Sequence, residues 1–123
     1  MENASQALGA LGEEMAFHYL RSRGYKILTR NYRCVFGEID LVARDKDTLV
    51  FVEVKTRRDE SMGPPAESVT FHKRGQIVRS ARQYLKSHGM QDVPCRFDVV
   101  ALLMRPGCEP EIILIPGAFE AGE

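Results

Sequence analysis

The chain of 123 residues carries no surplus of either charge, since 17 Lys and Arg balance 17 Asp and Glu. That balance argues against a strong, non-specific DNA binder, which usually has a basic excess. It still permits a polarised surface. No apolar run approaches the roughly 20 residues needed to span a bilayer, so no membrane association is expected. The N-terminus lacks a basic start followed by an apolar stretch, and no signal peptide is expected. Cysteine is scarce: Cys34, Cys95 and Cys108 are odd in number and lack metal-ligand spacing. They read as reduced thiols, which predicts a cytoplasmic protein. No spacing ties a cysteine to a histidine, which argues against a thiol nucleophile. Repeats, low-complexity tracts and long linkers are also missing, so residues 1–123 are expected to form a single domain.

What is there centres on Gly37-Glu38-Ile39-Asp40 and Glu53-Val54-Lys55. The segment from Glu38 to Arg44 alternates like a half-buried strand, with Glu38, Asp40, Val42 and Arg44 expected on one face. The run from Thr48 to Thr56 is rich in β-branched and aromatic residues, with Leu49, Phe51, Glu53 and Lys55 on one face. A two-residue loop at Lys46-Asp47 sets Asp45 opposite Thr48. Counting outward, Asp40 then faces Glu53 and Glu38 faces Lys55. A slip of one residue would turn Glu53 to the wrong face, so the site requires an even loop or a compensating bulge.

Asp40 opposite Glu53 is unfavourable by itself, because like charges at opposed strand positions repel. A cation between them removes the repulsion, and hard oxygen ligands suit Mg²⁺, Mn²⁺ or Ca²⁺. Lys55 is within reach of a metal-bound water or a phosphate. The alternative is that these charges decorate a solvated hairpin.

Residues 5–23 read as a helix with an apolar stripe of Leu8, Leu11, Met15, Tyr19 and Leu20, ended by Gly24. Glu13 shares a side with Ala16, Phe17 and Leu20, whereas Glu14 sits with His18 and Arg21. Glu13 is the better placed to face the sheet; a surface glutamate is the other reading. Residues 25–33 read as the first strand. Residues 57–68 contain Gly63-Pro64-Pro65 and read as a loop overhanging the site. A second helix is expected from Thr70 to His88, burying Phe71, Ile77, Val78, Ala81, Tyr84 and Leu85. Arg79, Arg82 and Lys86 then form an exposed stripe which, with Lys73, Arg74, Arg57 and Arg58, could grip phosphates. A solvated Lys/Arg-rich helix face is the bland alternative. Strands follow at residues 96–104, where Asp98 reads as structural, and at residues 111–115, an edge. Residues 116–123 read as a short helical cap and tail. The order suits an α/β fold with a mixed sheet flanked by helices.

Asp40 with Glu53-Val54-Lys55 resembles the PD-(D/E)xK nuclease signature, with Ile39 in place of the proline. The wider pattern is more specific. Gly12-Glu13, Gly24-Tyr25, Asn31-Tyr32, GEIDLVAR, LVFVEVKTR, Gly63, Lys73 and Arg96-Phe97-Asp98-Val99-Val100 resemble the YraN-like family of uncharacterised bacterial proteins, over residues 8–120. That family is similar to archaeal Holliday-junction resolvases, in which a helical glutamate precedes the strand aspartate, and Glu13 fits that place. The resemblance implies a restriction-endonuclease-like fold and nucleic-acid binding, with DNA the expected partner and a homodimer possible, because symmetric junctions suit a two-fold enzyme. It does not imply demonstrated cleavage.

The expected function is metal-dependent hydrolysis of a phosphodiester in structured DNA. Asp40 and Glu53 would ligate Mg²⁺ (or Mn²⁺), with the carbonyl of Val54 as a further ligand. Glu13 would hold a second metal or bind the first through water. Lys55 would orient or deprotonate water, and Glu38 would set the position of Lys55. The alternative is a catalytically quiet nucleic-acid-binding module on a nuclease fold that recruits partners. A protein-interaction domain is the blandest reading.

Overall fold

Helix α1 (Ala4–Ser22) begins at a capping box in which Asn3 and Gln6 exchange side-chain to backbone hydrogen bonds. It stops before Gly24, whose φ of 91° suits only glycine well. The sheet follows as β1 (Lys26–Cys34), β2 (Gly37–Asp45) and β3 (Thr48–Arg57), then α2 (Phe71–Ser87), β4 (Cys95–Leu103) and β5 (Glu111–Phe119). The computed structural model describes residues 3–59, 61 and 69–122. Gly63-Pro64-Pro65, and with them most of the loop expected to overhang the site, lie outside the described residues.

The five strands lie in chain order, β1-β2-β3-β4-β5. All neighbours pair antiparallel except β3 and β4, which are parallel and joined through α2. This is an α/β domain, a mixed sheet flanked by helices in a restriction-endonuclease-like arrangement. Among the described residues no helix is long and apolar enough to cross a membrane.

Each face of the sheet has its own core. Ala16, Leu20, Leu41, Ala43, Val50, Val52, Val100 and Leu102 pack on the α1 side. Ile39, Val42, Leu49, Phe51, Ile77, Ala81, Tyr84, Phe97 and Val99 pack on the α2 side. Strand β3 alternates cleanly between the two, which sends Glu53 to the α2 side with Phe51.

Three expectations need correction. The fully buried stripe of α1 is Gly12, Ala16 and the expected Leu20, with Met15 and Tyr19 packed at its margin, while Leu11 is 51% exposed. Small residues win because the helix lies close to β3: a Cβ on Gly12 would land on Thr56 Oγ1. On α2, Phe71 occupies the first helical position and is exposed rather than buried. The last strand does not end at Ile115 but runs to Phe119, and no helical cap covers residues 116–119. A register shift between Phe97 and Val99 absorbs Pro116 and Gly117, with Gly117 at a φ of 61°.

Candidate active site

The β2–β3 hairpin has the even loop that the site requires. Asp45 pairs with Thr48 and the ladder counts outward to Leu41 opposite Val52. One step further come Asp40 and Glu53. Here Asp40 Oδ2 accepts the backbone N–H of Val54 at 2.8 Å, which fixes the orientation of its carboxylate. Glu53 is only 5% exposed. Its pKa is pushed up to about 9, first by burial, then by a hydrogen bond to Asp40 and by the Asp40 charge. The shift favours the protonated carboxyl, the form that can donate to Asp40. Lys73 Nζ lies 3.9 Å from Glu53 Oε2, and the charges of Lys73 and Lys55 oppose the shift.

Beside this pair both edge-side strands change face. Arg30 pairs with Leu41 and Tyr32 with Ile39, so Asn31 stands opposite Asp40 in the count. Arg30 lies over the Phe17 ring of α1 at 4.2 Å, whereas Tyr32 stacks edge-on against Tyr84 of α2 at 5.2 Å. Leu41 belongs to the α1 core and Ile39 to the α2 core. Residues two apart on a regular strand share a face, so each strand crosses over at its central residue. Asn31 carries the backbone consequence, a left-handed φ of 53°.

This crossing corrects the expected place of Glu38. It turns to Arg33, whose Nε lies 3.6 Å from its Oε2, and to Asn31, not to Lys55. With its amide nitrogen turned toward them, Asn31 donates to Glu13 Oε1 at 2.8 Å and to Glu38 Oε1 at 3.1 Å. The opposite amide orientation would set its oxygen against both carboxylates.

Glu13 is half-buried and Glu14 exposed, as their sides of the helix predicted. Burial raises the pKa of Glu13, and the neighbouring charges of Asp40 and Glu38 raise it further. Glu14 is held below the usual carboxylate range by its hydrogen bond to Arg30, at 2.6 Å. An open cleft of about 520 Å³ lies between α1 and β1, with Glu13, Glu14, Arg30, Asn31, Arg33 and Glu38 among its lining residues.

Asp40 and Glu53 fit a divalent cation. They are two hard oxygen donors brought together where the β2–β3 ladder ends, and a cation between them would relieve their repulsion. Among the described residues no set of three or more His, Cys, Asp or Glu is gathered to hold a metal. Glu13 lies near enough for the Asp40 charge to act on it, and Asn31 donates to one of its oxygens.

The expected cationic surface divides into three. Arg79, Arg82 and Lys86 are exposed on α2, and Arg58 is exposed after β3. Lys73 joins the site through Glu53. Arg74 turns inward, with Nε donating to the Val69 carbonyl at 3.0 Å and its guanidinium over the Phe119 ring. Arg57 is half-buried, and its carbonyl accepts the N–H of Met104 at 2.7 Å. Helical periodicity accounts for the division: Lys73 and Ile77 are four apart and share the sheet-facing side.

Sequence reasoning passed over Asn31, Arg30 and Arg33 as site-lining residues. The signal was available in Asn31 itself, since asparagine is depleted within strands and enriched among left-handed residues.

The sequence profile of the uncharacterised protein family UPF0102 matches residues 12–102. A UPF0102 protein of Geotalea uraniireducens (strain Rf4) is 51% identical over 116 residues, covering 94% of this chain and 91% of the relative. One of Nocardia farcinica (strain IFM 10152) is 51% identical over 114 residues, covering 93% and 90%. One of Syntrophus aciditrophicus (strain SB) is 50% identical over 113 residues, covering 91% and 87%.

Proposed function

Proceeding from the fact that this chain belongs to the uncharacterised protein family UPF0102, we propose that it is a metal-dependent phosphodiester hydrolase acting on structured DNA. One observation carries the reading. Asp40 and Glu53 meet where the β2–β3 ladder ends, with Lys73 at 3.9 Å from Glu53 and the Lys55 charge acting on the same carboxyl. Two carboxylates and two lysines, with Glu53 buried, are an unusual thing to gather in mid-sheet for stability alone.

Bound by Asp40 and Glu53, Mg²⁺ or Mn²⁺ would polarise a phosphoryl oxygen and lower the pKa of water. The chain's own residues do the rest. The Val54 N–H keeps Asp40 oriented. Lys73 and Lys55 favour the ionised form of Glu53 against the burial that disfavours it. Lys55 is the residue to orient the attacking water, or to offset charge on the phosphoryl group. Glu13, set beside Asp40 by α1, adds negative charge on the far side of the pair. Arg58, Arg79, Arg82 and Lys86 are exposed and pair with no carboxylate among the described residues, which suits contacts to backbone phosphates.

The test is cleavage of labelled branched, single-stranded and duplex DNA by the purified protein in Mg²⁺, Mn²⁺ or EDTA. Metal-dependent cleavage that Asp40→Ala abolishes is the expected result. DNA binding without cleavage in any metal would replace the enzyme with a quiet binding module. Neither cleavage nor binding would overturn both readings.

A further inference from the structure

We propose that Asn31 is a positioning residue of the site, holding the Glu13 carboxylate beside Asp40 through its amide and its left-handed backbone. The inference rests on the metal-site reading above and deepens it. Three features of this residue point the same way.

The first is backbone conformation. Asn31 has a φ of 53° inside strand β1, where an extended conformation is the rule. A non-glycine residue in that region is retained only when its surroundings demand it, and such residues cluster at functional sites. Asparagine is among the side-chain-bearing residues that tolerate it best.

The second is topology. The left-handed residue stands where β1 changes face, opposite the point where β2 changes face at Asp40. The two crossings are coupled: without the one at Asn31, the pairs Arg30↔Leu41 and Tyr32↔Ile39 could not lie on opposite faces of the sheet. The change of face at Asp40 is therefore matched across the ladder by Asn31.

The third is hydrogen bonding. Asn31 donates one amide proton to Glu13 and the other to Glu38. The charges of Glu38 and Asp40 both act against that of Glu13. A neutral double donor brings Glu13 and Glu38 together without cancelling their charge. A lysine or arginine there would bind Glu13 as a salt bridge and draw it away from any cation. An amide leaves the second oxygen of Glu13 and its full charge for the site. Residues that orient ligands in this way are worth about tenfold or more in metal affinity.

The experiment compares Mn²⁺ binding by calorimetry, with melting temperature in EDTA, for the wild type, Asn31→Gly, Glu13→Gln, their double variant and Asp40→Asn. Glycine keeps the left-handed backbone and removes only the amide. The expected result is a melting temperature close to wild type for Asn31→Gly with Mn²⁺ affinity lowered about tenfold. Because Asn31 acts through Glu13, the double variant should bind no more weakly than Glu13→Gln alone. Losses that multiply, or unchanged affinity in Asn31→Gly while Asp40→Asn loses Mn²⁺, would overturn the role of Asn31 and leave the metal site standing. A wild type that binds no Mn²⁺ would overturn both together.

Discussion

Glu53 stands one step beyond the last β2–β3 pair, opposite Asp40, and burial together with Asp40 pushes its pKa up to about 9. Each is anchored from elsewhere: Asp40 by the Val54 N–H at 2.8 Å, Glu53 by burial among core residues, with Lys73 at 3.9 Å. The pair is thus a built-in point of tension whose ionisation is tied to whatever lies between the two oxygens.

A first prediction concerns stability and pH without metal. The folded-state pKa of Glu53 is raised to about 9 from an ordinary 4.5. A raised carboxyl pKa favours the folded state at low pH. That contribution is complete below 4.5 and declines as pH rises, until the folded protein also loses its proton near 9. The slope is at most about 1.4 kcal/mol per pH unit. Glu53→Gln keeps a donor to Asp40 and has nothing to titrate. Melting curves in EDTA from pH 5 to 9 should show the wild type losing ground to Glu53→Gln as pH rises. Parallel curves would mean that Glu53 ionises normally.

The same proton should compete with metal. Binding a divalent cation at Asp40 and Glu53 must release the Glu53 proton below a pH of about 9. Apparent Mn²⁺ affinity should therefore rise by up to about tenfold per pH unit between 6.5 and 8.5. Calorimetry in two buffers of different ionisation enthalpy would count the protons released. A count of zero at pH 7 would remove Glu53 from the ligand set.

How much of this was legible beforehand depended on which physical rule governed each residue. Alternation and the even loop Lys46-Asp47 were enough to bring Asp40 and Glu53 together. They failed for Glu38, because alternation presumes a regular strand and β2 is not regular at Asp40. Nothing in Glu38 itself announces that; the cause lies across the ladder in Asn31. The α1 stripe was right for Leu20, Met15 and Tyr19 but failed at Leu11 and missed Gly12 and Ala16, for a different reason. Counting large apolar residues favoured Leu8, Leu11, Met15 and Tyr19, yet the helix approaches β3 so closely that Gly12 and Ala16 face the sheet. Hydrophobicity ranks burial well only when there is room for the side chain. On α2, net charge could not distinguish cations that face solvent from Lys73 and Arg74, which face the site and the core.

Gly12 makes that close approach testable. A methyl group there would meet Thr56 Oγ1, and α1 would have to shift. Gly12→Ala would ordinarily raise helix propensity by up to about 1 kcal/mol. Here it should instead destabilise the protein by about 1–3 kcal/mol through overpacking, measured by urea unfolding. The companion variant Gly12→Ala/Thr56→Ser would not relieve it, because the oxygen remains. Gly12→Ala/Thr56→Ala should recover most of the loss.

Asp98 supports a prediction away from the site. Its side chain is fully buried and accepts from Tyr25 Oη at 3.0 Å, Arg96 Nε at 2.8 Å and the Gly117 N–H at 3.0 Å. Arg96 also reaches Asp45 at 3.0 Å, so the network ties α1's end, the β2–β3 turn and β5 to β4. Tyr25 is pushed up to about 12, by burial first and then by the Asp98 charge. Removing one partner of a buried ion pair strands the other. Asp98→Ala should cost about 3–5 kcal/mol in urea unfolding, with DNA cleavage per folded molecule unchanged. A loss below 1 kcal/mol would show that Arg96 finds solvent or Asp45 instead.

The last prediction separates the two roles that cations on α2 are given. Arg79, Arg82 and Lys86 are exposed, whereas Lys73 is committed to Glu53 at 3.9 Å. Phosphate contacts contribute through counterion release, at roughly 0.9 in the slope of log affinity against log salt for each phosphate neutralised. Replacing Arg79, Arg82 and Lys86 with alanine should weaken duplex binding at low salt and flatten that slope by about 2–3. Lys73→Ala should leave the slope within about 1 of wild type, the most that one lost phosphate contact would explain. It should instead make Glu53 harder to ionise, because a positive neighbour is lost, and so shift metal-dependent cleavage toward higher pH. Fluorescence anisotropy across a salt series reads the first effect, and cleavage rate against pH reads the second. If the triple alanine variant keeps the full salt slope, DNA does not run along α2, and the exposed stripe is only a solvated helix face.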